Sequence, residues 1–244
     1  MLTSFDTVPA RERVIVALDC GYDEAIALAD TLKGKATWLK VGMTLYYACG
    51  PRIVKEFKDR GFKVFLDLKF HDIPFQVEGA AHSAALTGAD MLTMHTLGGL
   101  EMLKGAQRGV EKAAEEMGCD PCTTLGITVL TSMSDEALAQ VGVPRTAPEQ
   151  VELLGNLAKE AGISGVVASP QEARALRVIL GESAYIVTPG VRPAGADAGD
   201  QSRIATPAQA FENGASHIVI GRPITKAADP VAAFAAICEE IEAR

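Results

Sequence analysis

Short apolar runs alternate with longer amphipathic segments about eight times along the chain. Each run is apolar throughout its length, which is typical of parallel strands that are covered on both faces. The predicted strands are 13–18, 37–42, a third that begins at Lys63, 90–95, 123–130, 164–168, 184–188 and 216–220. The pattern therefore predicts a sheet of buried parallel strands.

Helices are predicted after the strands, and several carry capping signals. Asp23 is expected to cap the first helix, which runs to about Lys33. Ser169–Glu172 and Thr206–Gln209 each combine an N-cap residue, a proline at the first helical position and the last residue of a capping box. The other predicted helices are 51–60, 75–86, one from Gly98–Gly99 to about Met117, 134–141, 148–161 and a last helix capped by Asp229.

The alternation predicts an α/β fold, a single-domain (β/α)8 TIM barrel over residues 13–244 that follows an N-terminal lead of residues 1–12. An open, doubly wound sheet is the alternative, but it usually has fewer repeats. No change of composition marks a second domain, and 244 residues with 48% hydrophobic content can bury a large core.

Charge and cysteine content exclude several classes of protein. The net charge of −8 argues against a nucleic-acid partner, so an anionic ligand would need a local positive field. Five cysteines suggest no disulfide framework, and Cys119–Cys122 lacks the second pair or thioredoxin-like context that a zinc or redox role requires. No signal peptide or membrane-spanning run is apparent, so we expect a cytoplasmic protein without a membrane partner.

The segment from Lys63 to Pro74 carries the strongest chemical signal. It opens as a buried strand and then places Asp67, Lys69 and Asp72 within six residues. On an extended chain Asp67 and Lys69 point to the same side. Charges at the end of an apolar strand are costly unless they are paired or used. A lone Asp-x-Lys would favour a simple salt bridge, but the third charge favours a site.

Polar side chains also follow the other predicted strands, at the rim where TIM barrels hold their active sites. Carboxylates flanking a lysine favour its protonated form, which suits a proton donor better than a nucleophile. Alternatively, Lys40 is a surface lysine that buries its apolar stem and keeps its ammonium group in water. The rim residues are Asp19, Lys40, Asp67, Lys69, Asp72, His95, Thr131, Arg192 and Arg222.

The loops after strands seven and eight predict a phosphate site. Pro189–Pro193 contains Gly190 and Arg192, and Gly221–Arg222 follows the eighth strand. Barrels often bind phosphate in these two loops, where glycine admits close approach and arginine offers a two-pronged donor. The alternative is that both arginines are solvated loop charges. The polar segment 197–201 is a candidate lid over this site.

Four other polar side chains have structural alternatives to a role in binding. His71 and His95 are candidates for metal ligands, but a structural hydrogen-bonding role is favoured for both. Thr131 and Ser132 offer hydroxyls to a ligand, although they are also placed to cap the helix at Ser134.

Several motifs resemble the orotidine 5′-phosphate decarboxylase family. The resemblance covers nearly the whole chain, and the third-strand motif together with the Gly-Arg-Pro-Ile ending is a specific combination. The matching segments are Val16–Asp19, Leu39–Gly42 and Phe65–Pro74 in the first half, with Pro189–Pro193, Asp200–Gln201 and Ile220–Ile224 in the second.

The resemblance implies a homodimer without metal or other cofactor that converts orotidine 5′-phosphate (OMP) to UMP and CO2 in pyrimidine synthesis. It implies that Lys69 protonates C6, held by Asp67 and Asp72, with Asp67 near the departing carboxylate. It further implies that Asp72 and Ile73 enter the neighbouring subunit's site. The remaining implied contacts are Asp19 and Lys40 to the ribose, Thr131 and Ser132 to the pyrimidine, and Pro189, Arg192, Gln201, Gly221 and Arg222 at or beside the phosphate.

Two other functions stay open at this point. A metal-dependent sugar-phosphate decarboxylase or aldolase of the same barrel group would share Asp-x-Lys-x-x-Asp, although Gln201 and the long loop after strand seven favour a nucleotide. A regulatory protein that only binds a phosphorylated ligand is the other, but four clustered charges are excessive for binding alone.

Overall fold

Eight parallel strands close into a barrel in the computed structural model, which describes residues 3–193 and 205–243. Each strand pairs with its neighbours in sequence, and β8 closes on β1, so the predicted (β/α)8 barrel is confirmed. The strands are β1 Val14–Leu18, β2 Trp38–Gly42, β3 Lys63–Phe70, β4 Met91–His95, β5 Thr123–Ile127, β6 Gly165–Val167, β7 Tyr185–Thr188 and β8 His217–Ile220.

Helices surround the barrel and connect one strand to the next. Two 3-10 turns, Ala10–Glu12 and Thr96–Gly98, add to them. The α-helices of the described residues are α1 Tyr22–Leu32, α2 Met43–Cys49, α3 Arg52–Asp59, α4 Pro74–Ala85, α5 Leu100–Met117, α6 Asp135–Gln140, α7 Ala147–Glu160, α8 Ala173–Leu180, α9 Pro207–Glu212, α10 Arg222–Thr225 and α11 Pro230–Glu242.

Both faces of the strands are buried, as their apolar sequences predict. All five residues of β1 are buried. Inward-facing side chains fill the barrel, and outward-facing ones pack against the helices. Since the interior is a packed core, polar chemistry is confined to the ends of the barrel. The interior layer consists of Ile15, Ala17, Trp38, Phe65, Met91, Leu125, Val187 and Val219.

Several predicted boundaries were wrong, each for a local reason. Helix α1 is capped by Gly21, and Asp23 lies in its first turn. Strand β5 ends at Ile127, where its pairing with β6 stops, so 128–130 belong to the following loop. The Ser169 N–H does donate to the Glu172 side chain, but residues 170–172 form a turn and α8 begins at Ala173.

Other capping signals were confirmed. Thr206 and Gln209 form a capping box at the start of α9, and Asp229 accepts two backbone N–H groups at the start of α11. Helix α2 was missed at the sequence level because it is only seven residues long, too short for a helical period to be recognised.

An aromatic cluster closes the bottom of the barrel, opposite the rim. Phe5, from the N-terminal lead, packs edge-on against Tyr185 and His217, with ring centroids 4.9 and 5.6 Å apart. His217 also stacks on Tyr185 at 5.5 Å and is 4% exposed. Burial lowers the pKa of His217 to about 3, and the charges of Arg13 and Lys63 act in the same direction. The folded protein therefore holds this histidine neutral.

We expect His217 to make stability fall as the pH drops from about 6.5 towards 3. Between these values the unfolded chain binds a proton at this residue and the folded chain does not, so stability rises with pH. The contribution to the slope is at most about 1.4 kcal/mol per pH unit. Urea unfolding of wild type and His217→Gln from pH 7 to 4.5 measures it. The variant should show the shallower dependence, and equal slopes would contradict the prediction.

Candidate active site

Charged side chains converge at the C-terminal ends of β1, β2 and β3. Lys40, in β2, is buried, and its Nζ lies 2.9 Å from Asp19 Oδ1 and 3.7 Å from Asp67 Oδ2. Lys69 Nζ lies 2.8 Å from the other Asp67 oxygen, Oδ1. The result is a continuous array in which two ammonium groups alternate with two carboxylates.

The backbone around Lys69 departs from the extended geometry that its spacing suggests. Lys69 has a φ of 54°, and it is the only residue other than glycine with positive φ in the described part of the chain. The β3–β4 register shifts between Leu66 and Phe70, and the Lys69 N–H donates to Thr93 Oγ1 at 2.9 Å. A left-handed non-glycine residue costs on the order of 1–3 kcal/mol, and such strain clusters at active sites. Asp67 and Lys69 therefore meet through a bulge in the strand.

Asp67 is the buried centre of the array. Burial alone would raise the pKa of this carboxyl, but the Lys40 and Lys69 ammonium groups and hydrogen bonds from Lys69 and Thr93 outweigh it and lower the pKa. Thr93 Oγ1 donates to Asp67 Oδ1 at 3.0 Å. Asp67 is consequently an ionised carboxylate at neutral pH.

Two residues that support the array were missed at the sequence level. Thr93 is fully buried in β4 and connects the Lys69 backbone to the Asp67 side chain. A polar residue inside an otherwise apolar strand is the signal that could have revealed it. Gly42 leaves room for the first ion pair, since a Cβ there would lie 3.0 Å from Lys40 Nζ and 3.1 Å from Asp19 Oδ1.

A cavity of about 180 Å³ lies directly beside this array. Lys40, Asp67 and Lys69 line one side, and apolar groups from β3, β5, β6 and β8 line most of the remainder. Thr131 and Ser132 also line it, whereas the cap of α6 is Ser134. The apolar part of the wall consists of Phe65, Ile127, Val129, Leu130, Val167, Ala168, Pro189 and Val219.

A second, more open pocket adjoins the cavity and shares Lys40, Pro189 and Val219 with it. Arg192, from the loop after β7, and Arg222, the first residue of α10, both line this pocket. The other polar and glycine residues of its lining are Asp19, Cys20, Gly190, Gly221, Thr225 and Lys226. The arrangement offers an apolar cavity for a ring and, directly beside it, a pocket with two arginines for an anion. Gln201 and the candidate lid 197–201 lie outside the described residues.

Asp72 and Ile73 do not join this array within the chain. Asp72 is exposed and accepts the Ile73 N–H at 2.6 Å. Among the described residues it forms no ion pair, and Ile73 is 62% exposed. Of Asp67, Lys69 and Asp72, the fold therefore brings only the first two together within this chain.

His71 and His95 lie next to each other near the array, with ring centroids 5.3 Å apart. Burial lowers the pKa of His95, and the nearby His71 and Lys69 act in the same direction. His95 Nδ1 is buried and makes no hydrogen bond among the described residues. Within residues 3–193 and 205–243, no three His, Cys, Asp or Glu side chains are grouped as a metal site requires.

No helix in the same residues is long and apolar enough to span a membrane.

Comparison with known proteins agrees with this geometry. Residues 12–237 match the family described as "Orotidine 5'-phosphate decarboxylase / HUMPS family". Orotidine 5′-phosphate decarboxylase of Moorella thermoacetica is 50% identical over 96% of this chain and 93% of its own length. The enzyme of that name from Parasynechococcus marenigrum is 45% identical over 99% and 98%, respectively.

A solved structure shows the same fold. The crystal structure of orotidine 5′-phosphate decarboxylase from Lactobacillus acidophilus superposes with a TM-score of 0.84 at 39% identity, covering 94% of this chain and 99% of that one. Because the family match spans the barrel and the relatives share up to half of its residues over nearly full length, this chain belongs to the orotidine 5′-phosphate decarboxylase / HUMPS family.

Proposed function

We propose that the rim site binds OMP and that Lys69 delivers the proton that replaces its carboxylate. The reaction is decarboxylation of OMP to UMP in pyrimidine synthesis, the activity for which the curated relatives are named. The observation that carries the assignment of Lys69 is its contact with Asp67, with Nζ 2.8 Å from Oδ1 at the edge of the apolar cavity.

The chemistry requires a cation near C6 of the pyrimidine. When the bond from C6 to the carboxylate breaks, CO2 leaves and the electron pair stays on C6, where no conjugated group can accept it. The Lys69 ammonium stabilises this charge and then transfers a proton to C6, after which the neutral amine recovers a proton from solvent. Such fixed charges are most effective in a site that excludes water. The apolar wall of the cavity meets that condition.

Asp67 acts on both Lys69 and the substrate. Its Oδ1 accepts from Lys69 Nζ and Thr93 Oγ1, which fixes the direction of the ammonium. Because Asp67 is held ionised, it would also repel the substrate carboxylate placed next to it, and loss of CO2 relieves that repulsion. Lys40 balances the buried charge from the other side and, with Asp19, is placed to bind the ribose.

The phosphate group would occupy the pocket of Arg192, Arg222 and Gly221. Binding energy from this remote group can then be used to close the site around the reacting ring. Thr131 and Ser132, which line the cavity but not the phosphate pocket, would bind the polar edge of the pyrimidine. Gln201 would add to the phosphate contacts, as the family resemblance implies.

We further propose that catalysis uses no metal or organic cofactor and takes place in the cytoplasm. The Lys69 ammonium and the arginine guanidinium groups supply the positive charge that a metal would otherwise provide. The five cysteines are free thiols, which suits a reducing compartment. The names of the relatives favour this reaction over the sugar-phosphate decarboxylases and aldolases of the same barrel group.

We also propose a homodimer in which Asp72 and Ile73 complete the partner's site. Asp72 is exposed, and large apolar side chains are exposed in the segments that follow β2, β3 and β4. Exposed apolar side chains are a feature of interaction surfaces, and a two-fold contact would let each Asp72 loop reach the opposite Lys69. These exposed side chains are Met43, Tyr47, Ile73, Phe75 and Leu97.

Mixing two inactive variants tests the shared site. We expect Lys69→Ala and Asp72→Ala to be inactive separately and to recover activity when their subunits exchange. Each heterodimer then has one site with an intact Asp67, Lys69 and partner Asp72, so random exchange should restore about a quarter of wild-type turnover. The measurement is CO2 release from OMP after verified subunit exchange.

The matched control is a mixture of Lys69→Ala with Asp67→Ala. Since both residues come from the same subunit, no heterodimer site is complete and this mixture should stay inactive. If the first mixture also stays inactive after exchange, each subunit must build its site alone, and the shared-site proposal is wrong.

A further inference from the structure

The pocket proposed for the phosphate is also lined by Lys226, a cation that has no role in the function proposed above. Lys226 follows α10 as its C-cap and lines the same pocket as Arg192 and Arg222. Its side chain is 62% exposed, so the ammonium stands where the pocket opens to solvent. An incoming anion can therefore reach this charge from solvent.

Lys226 forms an exposed ion pair that can break at little cost in free energy. Its Nζ donates to Glu24 Oε1, in the first turn of α1, at 2.6 Å. The Glu24 side chain is 44% exposed, and ion pairs between exposed groups stabilise a fold only slightly. Exchanging Glu24 for a phosphate dianion therefore costs little, because the carboxylate returns to water.

The charge of the whole chain makes a local cation at the entrance valuable. With a net charge of −8, the protein repels a phosphate dianion at long range. A cleft lined with charge of one sign focuses the field and raises the association rate of an oppositely charged ligand. Among the described residues, the pocket is lined by one carboxylate, Asp19, and by four cationic side chains, so its lining is net positive; the cations are Lys40, Arg192, Arg222 and Lys226.

We propose that Lys226 is a specificity-determining residue that captures the phosphate dianion of the substrate on entry, exchanging Glu24 for the phosphate, before Arg192 and Arg222 bind it. This inference rests on the proposed function. It assigns to Lys226 an effect on kcat/KM, which reports the encounter of free enzyme and substrate, and none on the chemical step measured by kcat.

The test compares Lys226→Gln with Lys55→Gln. Lys55 forms an exposed pair with Asp59 at the same 2.6 Å distance but lines neither the cavity nor the phosphate-side pocket, so this variant removes an equal charge elsewhere. At low ionic strength, Lys226→Gln should lower kcat/KM for OMP roughly three- to tenfold and leave kcat unchanged. Its kcat/KM should also depend less on salt than that of Lys55→Gln or wild type.

Two further measurements separate capture of phosphate from a structural role. Phosphate-free orotidine should react equally with wild type and Lys226→Gln, because the captured group is missing. Glu24→Gln should raise kcat/KM for OMP, since it removes both a competitor for Lys226 and a negative charge at the entrance.

Three results would overturn the proposal. They are a Lys226→Gln variant that matches Lys55→Gln in kcat/KM and salt dependence, an equal loss with OMP and orotidine, and a loss of kcat/KM in Glu24→Gln. If wild type itself releases no CO2 from OMP, the proposed function fails and this inference with it. If wild type is active but Lys226→Gln has the same kcat/KM as Lys55→Gln, only the inference about Lys226 fails.

Discussion

Lys69→Ala is expected to lose turnover by several orders of magnitude while the barrel stays folded. The variant removes both the cation that stabilises the electron pair on C6 and the proton that neutralises it, and no other ammonium in the described residues contacts Asp67 Oδ1. Removing a single preorganised electrostatic group commonly costs on the order of 10²–10³ in kcat, and here the proton source is lost as well. CO2 release from OMP at saturating substrate measures the loss.

The fold should survive this substitution because Lys69 is a half-buried rim residue outside the packed core. Shortening its side chain leaves Asp67 paired with Lys40 and hydrogen-bonded to Thr93. The control is therefore the circular dichroism spectrum and urea midpoint, which should stay close to those of wild type. A well-folded variant with near wild-type kcat would show that Lys69 is not the proton donor.

Arg222→Ala is expected to lower kcat/KM for OMP by about 2–5 kcal/mol of transition-state stabilisation, the range for losing one partner of a desolvated charge pair. Arg222 is the first residue of α10, directly after β8, and lines the same pocket as Arg192 and Lys226. The loss should be confined to substrates with a phosphate group. The measurement is kcat/KM with OMP compared with phosphate-free orotidine.

Arg11→Ala provides the matched control for Arg222. Arg11 is exposed in the turn before β1, at the opposite end of the barrel, so it changes the net charge equally without touching the pocket. An equal loss in Arg222→Ala with both substrates would place Arg222 away from the phosphate, and a comparable loss in Arg11→Ala would point to a long-range effect of charge.

The sequence was sufficient for the barrel because the fold depends on features that repeat. Each strand is a short apolar run, such as Val14–Leu18, and each needs burial on both faces. Capping boxes such as Thr206–Gln209 add exact starting points for helices. The short helix α2 and the early end of β5 were not predictable in this way, because neither follows from a repeated sequence pattern.

The candidate site also has parts that the sequence predicts and parts that it does not. That the rim would collect Asp19, Lys40, Asp67 and Lys69 follows from the positions of the strand ends. The contact between Asp67 and Lys69, however, depends on a positive φ and a register shift that a period of two does not contain. The sequence also could not reveal that Asp72 stays apart from Lys69 within its own chain. Asp72 lies in the loop beyond the strand, where the two-residue alternation of side chains no longer predicts which way a residue points.

The measurement that tests the central claim most directly is CO2 release from OMP by the purified chain after exhaustive chelation, with Lys69→Ala run beside it. If Lys69 and the fixed charges around it carry out the reaction, the chelated wild type will release CO2 at an undiminished rate and form UMP, and the variant will not. A chelated wild type that regains activity only with added Mg²⁺, or a variant that matches wild type, would contradict the mechanism.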